Sequence, residues 1–93
     1  MANTIKIPTP LRPYVGGVDE VSVSDAGTVG DLLGNLVNQH GDLKQHLYDD
    51  GGQLRRFVNI YLNEEDIRYL DKEATSVSDG DVLSIVPSIA GGV

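Results

Sequence analysis

The stretch Thr28-Val29-Gly30-Asp31-Leu32-Leu33-Gly34-Asn35-Leu36-Val37 decides the architecture of this chain. Val29, Leu32, Leu33, Leu36 and Val37 fall at i, i+3, i+4, i+7 and i+8, which aligns them as one apolar stripe on an α-helix. Thr28 stands at the N-cap, where its hydroxyl can accept from a free backbone N–H. Asp31, three residues on, can reach back to the cap and places negative charge at the positive end of the helix. Gly30 and Gly34 each cost about 1 kcal/mol relative to Ala in a helix interior, so this helix is expected to depend on packing against a sheet. Gly41 is expected to stop it.

Working outward, residues 3–7 (Asn-Thr-Ile-Lys-Ile) alternate polar and apolar and predict a strand with Ile5 and Ile7 inward. Pro8, Pro10 and Pro13 end it and predict an extended, stiff connection over residues 9–13. Tyr14-Val15-Gly16-Gly17 carries turn chemistry, and residues 20–24 alternate again, pairing with the first strand as a long-looped hairpin. Beyond the helix, residues 42–48 predict a short second helical turn with Leu43 and Leu47 inward, followed by an exposed loop at Asp49-Asp50-Gly51-Gly52. Residues 55–62 (Arg-Arg-Phe-Val-Asn-Ile-Tyr-Leu) are rich in β-branched and aromatic types and predict a strong strand. Its alternation sends Val58, Ile60 and Leu62 toward the helix and Phe57, Asn59 and Tyr61 to the opposite face. Residues 63–65 turn the chain into a short return strand over 66–69, and residues 72–77 predict one irregular or 3₁₀ turn. Ser78-Asp79-Gly80-Asp81 forms a tight turn before a final strand over 82–86, with Leu83 and Ile85 inward. Two hairpin-like pairs thus flank one helix. The expectation is an α+β fold, a mixed four- to five-stranded sheet packed on one main helix, in the order of a β-grasp (ubiquitin-like) domain.

Ninety-three residues make one domain and bury roughly 60–65% of the unfolded surface. That supports one modest core and leaves little room for an enclosed active site. A formal charge of −7 argues against non-specific nucleic-acid binding and favours a basic partner surface. The absence of cysteine excludes disulfides, thiolate chemistry and cysteine metal sites. No secretory signal and no membrane-length apolar run is visible, so a cytoplasmic protein is expected.

The chain closes on Ile85-Val86-Pro87-Ser88-Ile89-Ala90-Gly91-Gly92-Val93. Pro87 cannot donate to a sheet ladder, so pairing is expected to weaken there and the chain to leave the body. The body is therefore placed at residues 1–87 and a flexible tail at 88–93. From Pro87 to Gly92 an extended chain reaches at most roughly 20 Å, enough to enter another protein's cleft. Glycine-bearing termini are common, and two further Gly-Gly pairs occur at residues 16–17 and 51–52, so the doublet alone says little. Its place directly after an apolar strand suits a carboxyl terminus that is itself the reactive group.

Taken with the element order, three segments carry a family resemblance: Ile7-Pro8-Thr9 with Leu11-Arg12-Pro13; residues 56–68, Arg-Phe-Val-Asn-Ile-Tyr-Leu-Asn-Glu-Glu-Asp-Ile-Arg; and Asp79-Gly80-Asp81 leading into Ile85 through Gly92. The chain resembles the ubiquitin-like sulfur carrier proteins of the MoaD/ThiS type, and within them the CysO-type carriers linked to cysteine biosynthesis. The resemblance implies chemistry on the Gly92 carboxylate. An E1-like adenylating enzyme of the MoeB/ThiF type activates it with ATP, and sulfur then replaces one oxygen to give a thiocarboxylate. Ala90 and Gly91 would be the tail that threads into that enzyme. The carrier supplies no catalytic base, metal or cofactor of its own. One residue departs from the pattern: mature carriers of the family end at the second glycine, whereas Val93 follows Gly92 here. The resemblance therefore implies removal of Val93, by a JAMM-type zinc metalloprotease, and delivery of sulfur to a PLP-dependent cysteine synthase.

Phe57 and Tyr61, with Val86 on the last strand and Ile89 on the tail, form the expected partner-docking patch. Arg55, Arg56 and Arg68 are read as rim or solvated charges. His40 and His46 are off the spacing of a helical metal pair, and the acidic turns lack the spacing of a calcium loop. Two other readings stay open. The chain could be a protein modifier joined through Gly92 to lysines, or a non-covalent β-grasp binding module with an inert tail.

Overall fold

The structure, a computed structural model, describes residues 2–24 and 27–87. Strands β1 (Ala2–Lys6) and β2 (Glu20–Ser24) form the first hairpin. Helix α1 (Val29–Gln39) and a short helix α2 (Lys44–Leu47) follow. Strands β3 (Val58–Leu62), β4 (Glu65–Asp66) and β5 (Val82–Pro87) complete the sheet. Five strands lie in the order β2-β1-β5-β3-β4. Only β1 and β5 run parallel; the other pairs are antiparallel. This is the expected β-grasp architecture, with α1 across one face.

The capping chemistry at α1 is complete. Thr28 Oγ1 accepts from the Asp31 N–H at 3.1 Å, and Asp31 Oδ2 accepts from the Thr28 N–H at 3.2 Å. Val29, Leu32, Leu33 and Leu36 are fully buried against Ile5, Val23, Ile60, Leu83 and Ile85, which the strands turn inward. Gly30 has a reason beyond propensity: a Cβ there would stand 3.2 Å from the Glu73 carbonyl oxygen. Around Gly34 the space is open. Leu43 and Leu47 are inward as expected. Tyr48 beside them is half-buried, and burial, reinforced by the Glu73 charge, pushes its phenol up to about 12.

Four local expectations are corrected. The connection after β1 is not extended. Thr9–Val15 coils into a 3₁₀ helix that buries Leu11 and Val15. Proline's fixed φ fits the first turn of a helix, where no N–H is needed, and Pro8 in extended geometry (φ −69°, ψ 155°) starts it. Strand β3 begins at Val58 rather than residue 55, because the Arg55 N–H is drawn to the Leu47 carbonyl (2.8 Å) and the Val58 N–H closes a turn on Arg55 (3.0 Å). The return strand covers only Glu65–Asp66. Asp66 Oδ1 then accepts from the Arg68 N–H at 2.9 Å and caps a 3₁₀ turn over Ile67–Tyr69. Finally, the last strand runs through Pro87 rather than ending before it.

Candidate functional site

Strand β5 is central, flanked by β1 and β3, so Pro87, the last described residue, stands in the middle of the sheet. The pairing explains why Pro87 is tolerated. The Asn63 N–H donates to the Val82 carbonyl at 2.8 Å, which makes that opposed pair a hydrogen-bonded one. Opposed pairs alternate along an antiparallel ladder. Tyr61 with Ser84 and Asn59 with Val86 therefore exchange bonds, whereas Val58 opposite Pro87 does not. The N–H that proline lacks would point away from β3, toward a side where β1 has already ended at Lys6 opposite Ser84.

The sheet face opposite α1 gathers the expected docking residues. Asn59 lies directly across from Val86, and Tyr61 across from Ser84. Val86 keeps 44% of its surface exposed and Phe57, immediately before β3, keeps 50%. For apolar residues on a small domain these exposures are large, and they stand at the end of the sheet from which the chain leaves. Tyr61 is only partly exposed. Ile89, Ala90, Gly91, Gly92 and Val93, and with them the whole 88–93 tail, lie outside the described residues.

Three features of this face were missed by sequence reasoning. Lys6 on β1 stands beside Ser84 and adds a cation to the face. Asn63 accepts from the Val82 N–H and donates to Asp81 Oδ1, both at 2.9 Å, so it ties the β3–β4 turn to the start of β5. Its φ of +50° is a conformation Asn tolerates better than most residues. Arg68 is a rim charge as expected, with 62% of its side chain exposed, but an engaged one. Its guanidinium bridges Asp66 Oδ2 (2.8 Å) and Asn59 Oδ1 (2.7 Å), and the side-chain bonds of Arg68 to Asp66, with its backbone N–H, hold the Asp66 carboxyl below its usual range. A signal for Asn63 existed in the Asn-Glu pair between two strands; none existed for Arg68. Arg55 is also engaged, through Nε to the Gln45 carbonyl at 2.8 Å.

No metal-binding constellation occurs among the described residues. His46 stacks on Tyr14 with ring centroids 4.1 Å apart, which fastens the 3₁₀ helix to α2. No helix among the described residues is long and apolar enough to cross a membrane.

The sequence model of the ThiS family matches residues 5–92. The chain belongs to the ThiS family. It is 43% identical over 91 residues to the sulfur carrier protein CysO of Mycobacterium tuberculosis, covering 96% of this chain and 97% of that protein. Small archaeal modifier protein 3 of Haloferax volcanii is 39% identical over 70 residues, 75% of each chain. Among solved structures, a chain of the Amycolatopsis orientalis BexX/CysO complex superposes with a TM-score of 0.85 at 37% identity, covering 97% of this chain and 99% of that one. These relatives include both a named carrier and a named modifier.

Proposed function

We propose that this protein is a sulfur carrier whose Gly92 carboxylate, exposed once Val93 is removed, is the group that carries sulfur. The observation that supports this best is the near-full-length similarity to CysO, which extends through Gly92 in the family match. A free carboxylate resists nucleophiles because its oxygen is a poor leaving group. Attack of the Gly92 carboxylate on the α-phosphorus of ATP releases pyrophosphate and gives an acyl adenylate. A sulfide-level nucleophile then attacks the carbonyl carbon and AMP departs, leaving the thiocarboxylate.

In this reading residues 88–93 form a flexible arm, and Ala90 and Gly91 pass through the narrow entry of the adenylating enzyme, where a larger side chain would obstruct. Phe57, Tyr61, Val86 and Ile89 form the handle that an E1-like enzyme of the MoeB/ThiF type grips. A JAMM-type metalloprotease removes Val93, and a PLP-dependent cysteine synthase receives the sulfur, in the cytoplasm. The folded body is not itself an enzyme. The similarity to a small archaeal modifier protein supports a second reading, with the same activated Gly92 joined to a lysine amine.

Intact mass measurement of the protein from its native host, with and without sulfur limitation, tests these readings. A species lacking Val93 with one oxygen replaced by sulfur is expected. Lysine-linked conjugates without any thiocarboxylate would favour the modifier. A population retaining Val93 throughout would refute both.

A further inference from the structure

The β3–β4 side of the sheet is incompletely paired. Strand β4 meets only Tyr61 and Leu62, so the first half of β3 has no strand on that side among the described residues. The alternation fixed at Asn63 turns the backbone groups of Val58 and Ile60 away from β5 and toward this edge. The Val58 N–H is taken by Arg55, which leaves the Val58 carbonyl directed outward. Along the edge runs a groove of about 750 Å³, between residues 53–56 and the turns at 66–68 and 72–73, with the half-buried Leu54 and Val58 contributing its apolar surface above the buried Ile60 and Ile67. That volume lies within the range of binding clefts.

The charge around this groove is opposite to that of the chain. The protein carries a net −7, yet four of its seven Lys and Arg residues, Arg55, Arg56, Arg68 and Lys72, line this one feature. Two carboxylates share the lining, and Asp66 is already engaged by Arg68. Cations concentrated on an otherwise acidic body select an acidic occupant and repel basic ones.

We propose that this groove binds an extended, acidic segment of a partner protein by strand addition to the open edge of β3. The peptide backbone pairs with the edge, its alternate apolar side chains pack on Leu54 and Val58, and its carboxylates meet the basic rim. Arg68 reaches across β3 to Asn59, so a carboxylate of the peptide meets its guanidinium at the entrance. The site lies on the opposite side of β3 from β5 and does not use Gly92, so it stands or falls independently of sulfur carriage.

The test is a titration of the full chain, ¹⁵N-labelled, with a blocked heptapeptide alternating Val and Glu. Saturable amide shifts confined to residues 54–60 and 66–73 are expected. Double charge reversal, Arg56→Glu with Lys72→Glu, is expected to weaken binding at least tenfold while leaving the unbound spectrum dispersed. Methylating alternate peptide nitrogens is expected to abolish binding, because backbone pairing is lost while the charges remain. An N-methylated peptide that binds equally well would overturn the proposal, showing mere charge attraction. So would shifts centred on Ser84 and Val86, equal binding of the Lys counterpart, or no saturable shift at all.

Discussion

Val58 and Pro87 face each other at the last position of the β3–β5 ladder, in a pair that exchanges no hydrogen bonds. Proline closes the strand there without leaving an acceptor on β3 unmet. It also fixes φ at the last residue of the strand. The same alternation that accommodates Pro87 turns the Val58 carbonyl toward the open edge of β3, so one register sets both features.

Pro87→Ala should therefore leave the ladder intact. Its main effect is to give the unfolded chain more freedom, so a loss of about 0.4–1 kcal/mol is expected, the range seen for unstrained proline replacements. Urea unfolding measures it. A gain in stability would mean that an N–H at this position finds a partner, contrary to the register.

The two helix glycines should part company. Gly34→Ala adds a methyl in open space and is expected to stabilise by up to about 1 kcal/mol. Gly30→Ala gains the same propensity but sets its Cβ 3.2 Å from the Glu73 carbonyl, so it is expected to be neutral or destabilising. Thermal unfolding of the two variants side by side checks this, and equal stabilisation would show that the 72–74 turn gives way freely.

These glycines also mark where the sequence was legible and where it was not. The stripe Val29-Leu32-Leu33-Leu36 and the Thr28–Asp31 box depend on neighbours within a few residues, and helix α1 could be read from them directly. The alternations around Ile5, Ile60 and Leu83 likewise gave the buried face. Gly30 looked like a propensity defect because its neighbour, Glu73, lies far away in sequence. The coiling of residues 9–15 was hidden by prolines whose φ fits a first helical turn as well as an extended chain. Arg68 was invisible for a similar reason: its role depends on Asn59 being brought beside it by the β3–β4 turn. Phe57, Tyr61 and Val86 were readable as outward residues, while Lys6 joined them only through the parallel β1–β5 pairing.

The Asp66–Arg68 pair should give the acid limb of stability a specific source. Hydrogen bonds from Arg68 lower the Asp66 pKa below its ordinary 3.8. A carboxyl whose folded pKa is depressed adds stability that is fully present above the unfolded value and lost as pH falls through the folded one. Asp66→Asn is thus expected to be less stable than wild type at neutral pH, with the gap closing below about pH 4. Urea unfolding from pH 7 to pH 2.5 follows the gap. In Arg68→Ala, the Asp66 carboxyl should titrate closer to its ordinary value by NMR.

Phe57 and Val86 are half-exposed, so replacing both with Asp removes little core packing. Thermal stability should change by less than about 1 kcal/mol, as for surface positions away from special features. The consequence should instead appear in partner engagement. A few apolar anchors carry most of the energy of an interface, and these two stand at the Pro87 end of the sheet. With a cognate E1-like enzyme and a chain ending at Gly92, ATP–pyrophosphate exchange should show KM for the double variant raised roughly tenfold or more. The turnover at saturation should hardly move, because the Gly92 carboxylate is untouched. If KM is unchanged while the variant remains folded, the enzyme grips another surface, and Phe57 and Val86 are ordinary exposed residues.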